Sequence, residues 1–175
     1  DVRLVFDEIL NQIQLGDLKK SVPVLTERGI LHRGEPSALV KAIIGAPENL
    51  WGYGYREGFE GMIGATPEQL FTVKNGVLET MALAGTAPRH EVADFPSDPK
   101  EIREHELVAD YLEELLSPFG KVERDERGLL DLGSIVHFIT RLSVALDNGN
   151  GDLNELIRRL HPTPALGACP RGEGA

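Results

Sequence analysis

Two residues of this chain could exchange protons with a bound molecule. Lys20 stands just before the apolar run Ser21–Leu25, and Glu68 stands in a Thr-Pro-Glu corner ahead of a second apolar run. A lysine serves as a base only where burial or a nearby cation lowers its pKa, and a carboxyl donates its proton more readily where apolar neighbours raise its pKa. Without such surroundings, the two residues are a solvated lysine and an ordinary turn carboxylate.

Three side chains could meet a hard cation. Glu101, Glu104 and His105 follow one another at spacings of three and one, which places them on one face of a helix. Mg²⁺ favours one or two carboxylates and keeps water or ligand oxygens in its other positions. A solvated acidic face is the simpler interpretation of this spacing when it is taken alone.

A glycine-threonine step could contact a substrate oxygen. Gly85 lets the backbone approach a ligand closely, and Thr86 adds an N–H and a hydroxyl. An ordinary turn would explain the same two residues. His137 lies in an apolar strand-like run, where a hydrogen-bonded core histidine is the default expectation.

A β-hairpin is predicted to bring Glu68 close to the Gly85-Thr86 step. Asn75-Gly76 separates two strand-like runs and is a strong hairpin signal, because both residues tolerate positive φ. The apolar residues spread over the two arms are Phe71, Val73, Val77 and Met81. Because a hairpin brings its two ends together, Glu68 is expected to lie close to Gly85-Thr86.

The remaining pattern predicts helices at both ends of the chain and a run of strands between them. The predicted helices cover residues 1–15, ended by Gly16; Pro36 to about Gly45; a segment capped by Asp98 that begins near Pro99 and closes at Pro118 and Gly120; and a last segment capped by Asp152 that cannot pass the prolines of 161–165. The predicted strands outside the hairpin cover residues 21–25, 51–55 (half-buried), 59–63, 121–123 and 134–146, with a polar loop over 90–98. The order favours an α+β class, with a largely antiparallel sheet and helices packed outside it.

Composition excludes several classes of protein. The 175 residues suffice for one domain with an ample core, and the formal net charge of −10 argues against a nucleic-acid partner, which would need a basic face. No apolar run approaches the roughly 18 residues of a membrane span. The single cysteine, Cys169, excludes an internal disulfide and fits a reducing cytoplasm.

Both ends suggest a fragment or a processed chain. The first residue, Asp1, already belongs to a helical pattern, and the glycine-rich end CPRGEGA is not followed by a further helix or strand. The chain is therefore expected to be one incomplete domain over residues 1–175.

Several segments together resemble the chorismate-binding enzymes: isochorismate synthases, salicylate synthases, and the large subunits of anthranilate and aminodeoxychorismate synthases. The segments are GDLKKSVPV, GATPEQLF, ALAGT, KEIREHELV and HPTPALGACPRG, with GSIVHFI between the last two, and they span nearly the whole chain in the family's order. The resemblance implies the chorismate-binding fold and a larger domain. The part beyond this chain should hold two glycine-rich strands, a substrate-carboxylate arginine and another metal-binding glutamate.

The resemblance also implies roles for individual residues. Lys20 matches the family's water-activating base, and Glu68 matches its general acid. The other matches are Gly85 and Thr86 for substrate contact, His137 near the substrate ring, Ala165 in the substrate site, Glu104 as a Mg²⁺ ligand and Glu101 as an acid near the metal. Here Lys-Ser-Val-Pro-Val replaces the Lys-Val-Val-Leu of relatives, and the arginine that often follows is absent.

Three positions favour isochorismate synthase within the family. Lys20 favours water as the nucleophile, whereas Ala84 lacks the lysine of aminodeoxychorismate synthases and Ala165 lacks a threonine associated with pyruvate elimination in salicylate synthases. The implied reaction is Mg²⁺-dependent conversion of chorismate to isochorismate, for a menaquinone, siderophore or salicylate pathway. The alternatives are a salicylate synthase, an amine-forming relative, or a non-catalytic fragment that associates through exposed sheet edges.

Overall fold

The computed structural model describes residues 2–30, 32–146 and 152–170. The chain divides into two compact units, a larger one formed by residues 1–24 and 70–175 and a smaller one formed by residues 25–69. The helices are α1 (Val2–Leu15), α2 (Pro36–Ile44), α3 (Pro99–Leu116) and α4 (Leu153–Leu160). The strands are β1 (Trp51–Glu57), β2 (Glu60–Thr66), β3 (Thr72–Lys74), β4 (Val77–Pro88), β5 (Val122–Arg124), β6 (Gly128–Asp131) and β7 (Ile135–Ala145).

An antiparallel sheet forms the larger unit, in the order β3-β4-β7-β5, with β6 also paired to β7. β4 and β7 are its long central strands, and their register runs from Val77↔Ala145 to Pro88↔Ile135. Helices and antiparallel strands thus share one core, which confirms the predicted α+β class.

The predicted turn at Asn75-Gly76 is confirmed. Asn75 has φ 52° and Gly76 has φ 76°, the pair of positive values that a tight two-residue hairpin turn requires. The first arm is short, however, because the pairing of β3 with β4 ends at Thr72↔Glu79. On its other side, β4 pairs with β7 along its whole length, apart from the bulge.

Helix α3 packs against this sheet and closes the core. Its buried residues include Val108, Leu112 and Leu116, and they meet apolar side chains from β4, β7 and α4. Those partners are Leu78, Leu142, Val144, Leu156 and Leu160, each at most 1% exposed. Burial of each such side chain contributes about 1.5–3 kcal/mol, so this contact fixes the position of α3 on the sheet.

The start of α3 is set by its predicted cap. The Asp98 side chain accepts hydrogen bonds from the backbone N–H groups of Lys100, at 2.8 Å, and Glu101, at 3.1 Å. Pro99 occupies the first turn, where its missing N–H costs nothing. Glu101 is therefore held in the first turn of a helix whose other end is buried.

The smaller unit consists of α2 and the β1-β2 hairpin, which turns at Gly58-Phe59. Helix α2 confirms the prediction that began at Pro36. The prediction of a half-buried strand over 51–55 is right about the strand but wrong about its burial, because every residue of β1 is exposed. A two-stranded hairpin with one short helix has little apolar surface to cover it.

Two other expectations differ from the structure, and one strand was not expected. The strand predicted over 21–25 is wrong: these residues form no strand, and Pro23 has no N–H to donate. The bridge to Cys169 is made by Lys20, just before the segment. The predicted polar loop over 90–98 contains Phe95, which is 3% exposed and stacks on Phe138 with ring centroids 4.1 Å apart. Strand β6 was not predicted.

The predicted terminal helices are confirmed, but their apolar stripes are unequally buried. Helix α1 ends before Gly16, whose φ is 86°, and it has no buried residue. Helix α4 begins after Asp152, whose side chain accepts from the Asn154 N–H, and it buries Leu156 and Leu160. Within the described residues, no helix is long and apolar enough to cross a membrane.

Candidate active site

Lys20 is held beside helix α3 by a bridge to the end of the larger unit. Its backbone carbonyl accepts from the Cys169 N–H at 2.9 Å, and its own N–H donates to the Cys169 carbonyl at 3.3 Å. The Nζ atom donates to the Pro164 carbonyl at 2.6 Å and lies 3.4 Å from Glu104 Oε1. With its side chain only 11% exposed, Lys20 is a partly enclosed amine rather than a free surface lysine.

Two carboxylates converge one turn apart on α3. Glu101 Oε2 accepts from the Thr86 backbone N–H at 2.8 Å, which fixes that carboxylate against β4. The Lys100 ammonium donates to Glu101 Oε1 and lies 3.6 Å from Glu104 Oε2. The hydrogen bond to Glu101 raises the pKa of Lys100, so this side chain is a cation at neutral pH.

The pair Glu101 and Glu104 suits a hard cation. One positively charged atom already contacts both carboxylates, so the two groups can reach a single ion. In the described part of the chain, no three His, Cys, Asp or Glu side chains are grouped to hold a metal. These described residues would therefore supply two carboxylates to a cation such as Mg²⁺, which also takes water and ligand oxygens.

The Gly85-Thr86 step forms a β-bulge in β4. The register passes from Ala84↔Phe138 to Thr86↔His137, so Gly85 is the extra residue. Its φ of 76° is disfavoured for other residues, and a Cβ would lie 2.9 Å from both the Glu101 carbonyl oxygen and Phe138 Cδ2. The bulge thus lets β4 approach α3 and aims the Thr86 N–H at Glu101.

His137 extends this group on the neighbouring strand. Its Nδ1 atom lies 2.8 Å from the Thr86 hydroxyl. Burial lowers the pKa of His137, and a hydrogen bond with the Gly85 backbone opposes that shift. A mostly neutral imidazole here can donate or accept a hydrogen bond beside Thr86.

His105 does not join the two carboxylates, so the shared face predicted for the three residues is wrong. His105 is fully buried, with Nδ1 3.1 Å from the Ala84 carbonyl oxygen and Nε2 2.8 Å from the Thr140 hydroxyl. A carbonyl only accepts, so Nδ1 carries the hydrogen and Nε2 accepts from Thr140. Adjacent helical residues point about 100° apart, which turns His105 to the sheet and Glu104 toward Lys20.

Glu68 belongs to the smaller unit, just after the end of β2. Its backbone N–H donates to the Thr66 hydroxyl at 3.1 Å, which forms the predicted Thr-Pro-Glu corner, and the residue is half-buried. The β3-β4 pairing stops before it reaches Glu68. Its closeness to Gly85-Thr86 stays a prediction.

Ala165 lies in the segment that contacts the Lys20 side chain. It is half-buried and packs against the main core, next to the Pro164 carbonyl that accepts from Lys20 Nζ. The described larger unit therefore gathers Lys20, the two carboxylates, the Gly85-Thr86 bulge and His137, with Ala165 at its border. Their catalytic and binding roles stay predictions.

Lys100 is the member of this group that sequence reasoning missed. Its spacing of four from Glu104 is an ordinary helical ion pair, a signal that would have found it. The Pro164 carbonyl could not have been found, because that contact joins residues 144 positions apart.

Comparison with known proteins finds a matching family model and similar curated proteins. The sequence model of a family described as chorismate binding enzyme matches residues 5–175. Over 174 residues the chain is 29% identical to a salicylate biosynthesis isochorismate synthase of Pseudomonas aeruginosa, covering 94% of this chain and 36% of that protein. A 2-amino-4-deoxychorismate synthase of Streptomyces globisporus is 26% identical, covering 94% and 35%. The chain spans about a third of the length of these curated relatives.

A solved structure shares the fold. A protein of Bacillus anthracis described as a 2,3-dihydroxybenzoate-specific isochorismate synthase aligns with a TM-score of 0.76, at 23% identity, over 94% of this chain and 48% of that one. At this level of identity the likeness establishes the fold and nothing finer.

Proposed function

Since this chain belongs to the family of chorismate-binding enzymes, we propose that it forms the larger part of an active site that converts chorismate to isochorismate with Mg²⁺. The observation that carries the proposal is the place of Lys20. A partly enclosed amine lies 3.4 Å from Glu104 and next to the segment that contains Ala165. An amine in that position can receive a proton from a water molecule directed at the substrate ring.

The reaction exchanges one hydroxyl for another on the ring. Lys20, which must be uncharged for this step, takes a proton from water, and the water oxygen bonds to C2 of chorismate. The ring double bonds shift, and the C4 hydroxyl leaves as water after Glu68 has given it a proton. One water enters and one leaves, so isochorismate is an isomer of the substrate.

The remaining residues position the substrate. Glu104 and Glu101 would hold Mg²⁺, which when bound supplies the positive charge that a dianion needs in a protein of net charge −10. Thr86 and Gly85 would present a hydroxyl and a closely approaching backbone to a substrate oxygen. His137, hydrogen-bonded to Thr86, would keep that hydroxyl oriented.

Two alanines support this subtype over its relatives. Ala84 is 8% exposed in the core, and its carbonyl contacts His105, so this position offers no amine to the substrate. Ala165 is an alanine where salicylate synthases tend to carry a threonine. These features favour water addition without pyruvate release or amine transfer.

Isotope labelling tests the proposed chemistry. In H₂¹⁸O, we expect newly formed isochorismate to carry one ¹⁸O in its C2 hydroxyl, detected by mass spectrometry. Lys20→Gln should abolish the labelled product, whereas Lys19→Gln, which changes the neighbouring amine, should still form it. Unlabelled isochorismate would exclude water as the nucleophile.

A further inference from the structure

A flexible cation lies across the two carboxylates of α3. Lys100 Nζ donates to Glu101 Oε1 and lies 3.6 Å from Glu104 Oε2, so one ammonium pairs with both groups. Its side chain is 75% exposed, whereas that of Glu101 is 13% exposed and is fixed by the Thr86 N–H. Glu101 is therefore held in place, Glu104 also pairs with Lys20, and Lys100 is the exposed partner that can swing into solvent.

We propose that Lys100 is a built-in counter-ion that occupies the metal position between Glu101 and Glu104 until a divalent cation displaces it. The inference rests on the proposed function, which assigns these carboxylates to Mg²⁺. Without a cation, two carboxylates that reach one atom would repel each other. Lys100 relieves that repulsion in the metal-free protein and, by the same contacts, competes with the metal.

A lysine suits this role better than an arginine. An ammonium is a compact, strongly hydrated charge on a flexible stem, so it leaves a carboxylate pair more readily than a planar guanidinium with several donors. Lys20 also contacts Glu104, but through the other oxygen, Oε1. Of these two lysines, Lys100 is the one joined to both carboxylates.

Mg²⁺ affinity measured by calorimetry on the 175-residue protein tests the proposal. Lys100→Gln should bind Mg²⁺ about threefold to tenfold more tightly, because two surface ion pairs no longer compete with the metal. Lys100→Arg should bind no more tightly than the wild type. Arg103→Gln removes one positive charge from an exposed position on the same helix and should change the affinity by less than about twofold.

Thermal unfolding supplies a second readout that needs no substrate. In EDTA, Lys100→Gln should melt below the wild type, because the carboxylates have lost their shared counter-ion. Added Mg²⁺ should raise its melting temperature by more than it raises that of the wild type. The Lys100 backbone N–H still donates to Asp98 in every variant, so the helix cap is kept.

Glu104→Gln separates failure of this inference from failure of the proposed function. If Glu104→Gln loses Mg²⁺ binding but Lys100→Gln binds no more tightly than the wild type, the counter-ion role is overturned and the metal site stands. If Glu104→Gln binds Mg²⁺ like the wild type, or if no variant binds it, the metal assignment falls and the counter-ion role falls with it.

Discussion

Lys20 Nζ contacts both the Pro164 carbonyl and the Glu104 carboxylate. This arrangement orients the amine and ties it to the helix that carries both acidic residues. A base and an acid that act on opposite faces of one ring need opposite surroundings.

Glu68→Gln should lower turnover of chorismate by about 100-fold to 10,000-fold, the range that a positioned general acid contributes. The amide keeps the size of the side chain but has no proton to give to the leaving hydroxyl. Initial rates measure the loss, and circular dichroism checks that the fold is intact. Glu60→Gln, an exposed change in the same unit, is the matched control. A Glu68→Gln protein with a near-normal rate would contradict the acid role.

His105 should make the fold less stable in acid. Burial lowers its pKa, so the folded protein keeps it neutral while the unfolded chain, with a pKa near 6.5, takes up a proton. Stability is then complete above about pH 6.5 and is lost as the pH falls below that value. Urea unfolding at several pH values measures this slope, which should decrease in His105→Gln and stay the same in His90→Gln, an exposed change.

The same histidine should also matter at neutral pH. His105→Ala removes a fully buried ring and leaves the Ala84 carbonyl and the Thr140 hydroxyl without their partner. A loss of about 2–4 kcal/mol in the free energy of unfolding is expected. A loss under about 0.5 kcal/mol, typical of a surface change, would contradict its place in the core.

At the scale of elements, the bulge in β4 determines how the strand meets α3. Gly85 is enclosed by the Glu101 carbonyl and the Phe138 ring, and Phe138 in turn stacks on Phe95 and lies 4.9 Å from the guanidinium carbon of Arg127. The helix and both central strands therefore fix this one residue. The bulge at Gly85 in turn directs the Thr86 N–H toward the Glu101 carboxylate.

Gly85→Ala should destabilise the fold by about 2 kcal/mol or more and weaken Mg²⁺ binding. The added Cβ would be strained at φ 76° and would lie 2.9 Å from backbone and ring atoms. Urea unfolding and calorimetry measure the two effects. Gly128→Ala is the matched control, because its Cβ would meet Ile139 at an ordinary 3.8 Å. Equal stability of the two variants would contradict the close approach.

Elements with a strong local signal were predicted well, and those that depend on distant partners were not. The turn at Asn75-Gly76, the cap at Asp98 and the stop at Gly16 follow from the conformations that these residues prefer. The segment 21–25 has a strand-like composition but forms no strand, and the bridge to Cys169 is made by the preceding residue, Lys20. No local pattern reveals whether a partner strand is present.

In the candidate site, too, local patterns were informative, whereas contacts with distant residues could not be predicted. Motif order led to the prediction of Lys20, Glu104 and Thr86, and the structure places all three beside or on α3, while their roles stay predictions. Helical spacing misassigned His105, because spacing places residues near one face but does not tell which of two neighbours the sheet will cover. That outcome was decided by the Ala84 carbonyl and Thr140, which lie on other elements.

At the scale of the whole molecule, the larger unit has a closed core, whereas α1 and the smaller unit leave many apolar side chains exposed. Phe6 is 52% exposed, Tyr55 60% and Phe59 fully exposed. Exposed apolar surface of this kind favours contact with further polypeptide. Sedimentation should therefore accompany any activity measurement, so that turnover is assigned to a monomer or to an assembly.

Product analysis tests the central claim most directly. The 175-residue protein is incubated with chorismate and Mg²⁺, with an EDTA control, and the products are separated by chromatography. We predict isochorismate, formed only with Mg²⁺, without pyruvate and without a requirement for ammonia. Release of pyruvate with salicylate, or an amine that appears only when ammonia is added, would contradict the assignment of Lys20 and Glu68 to hydroxyl exchange.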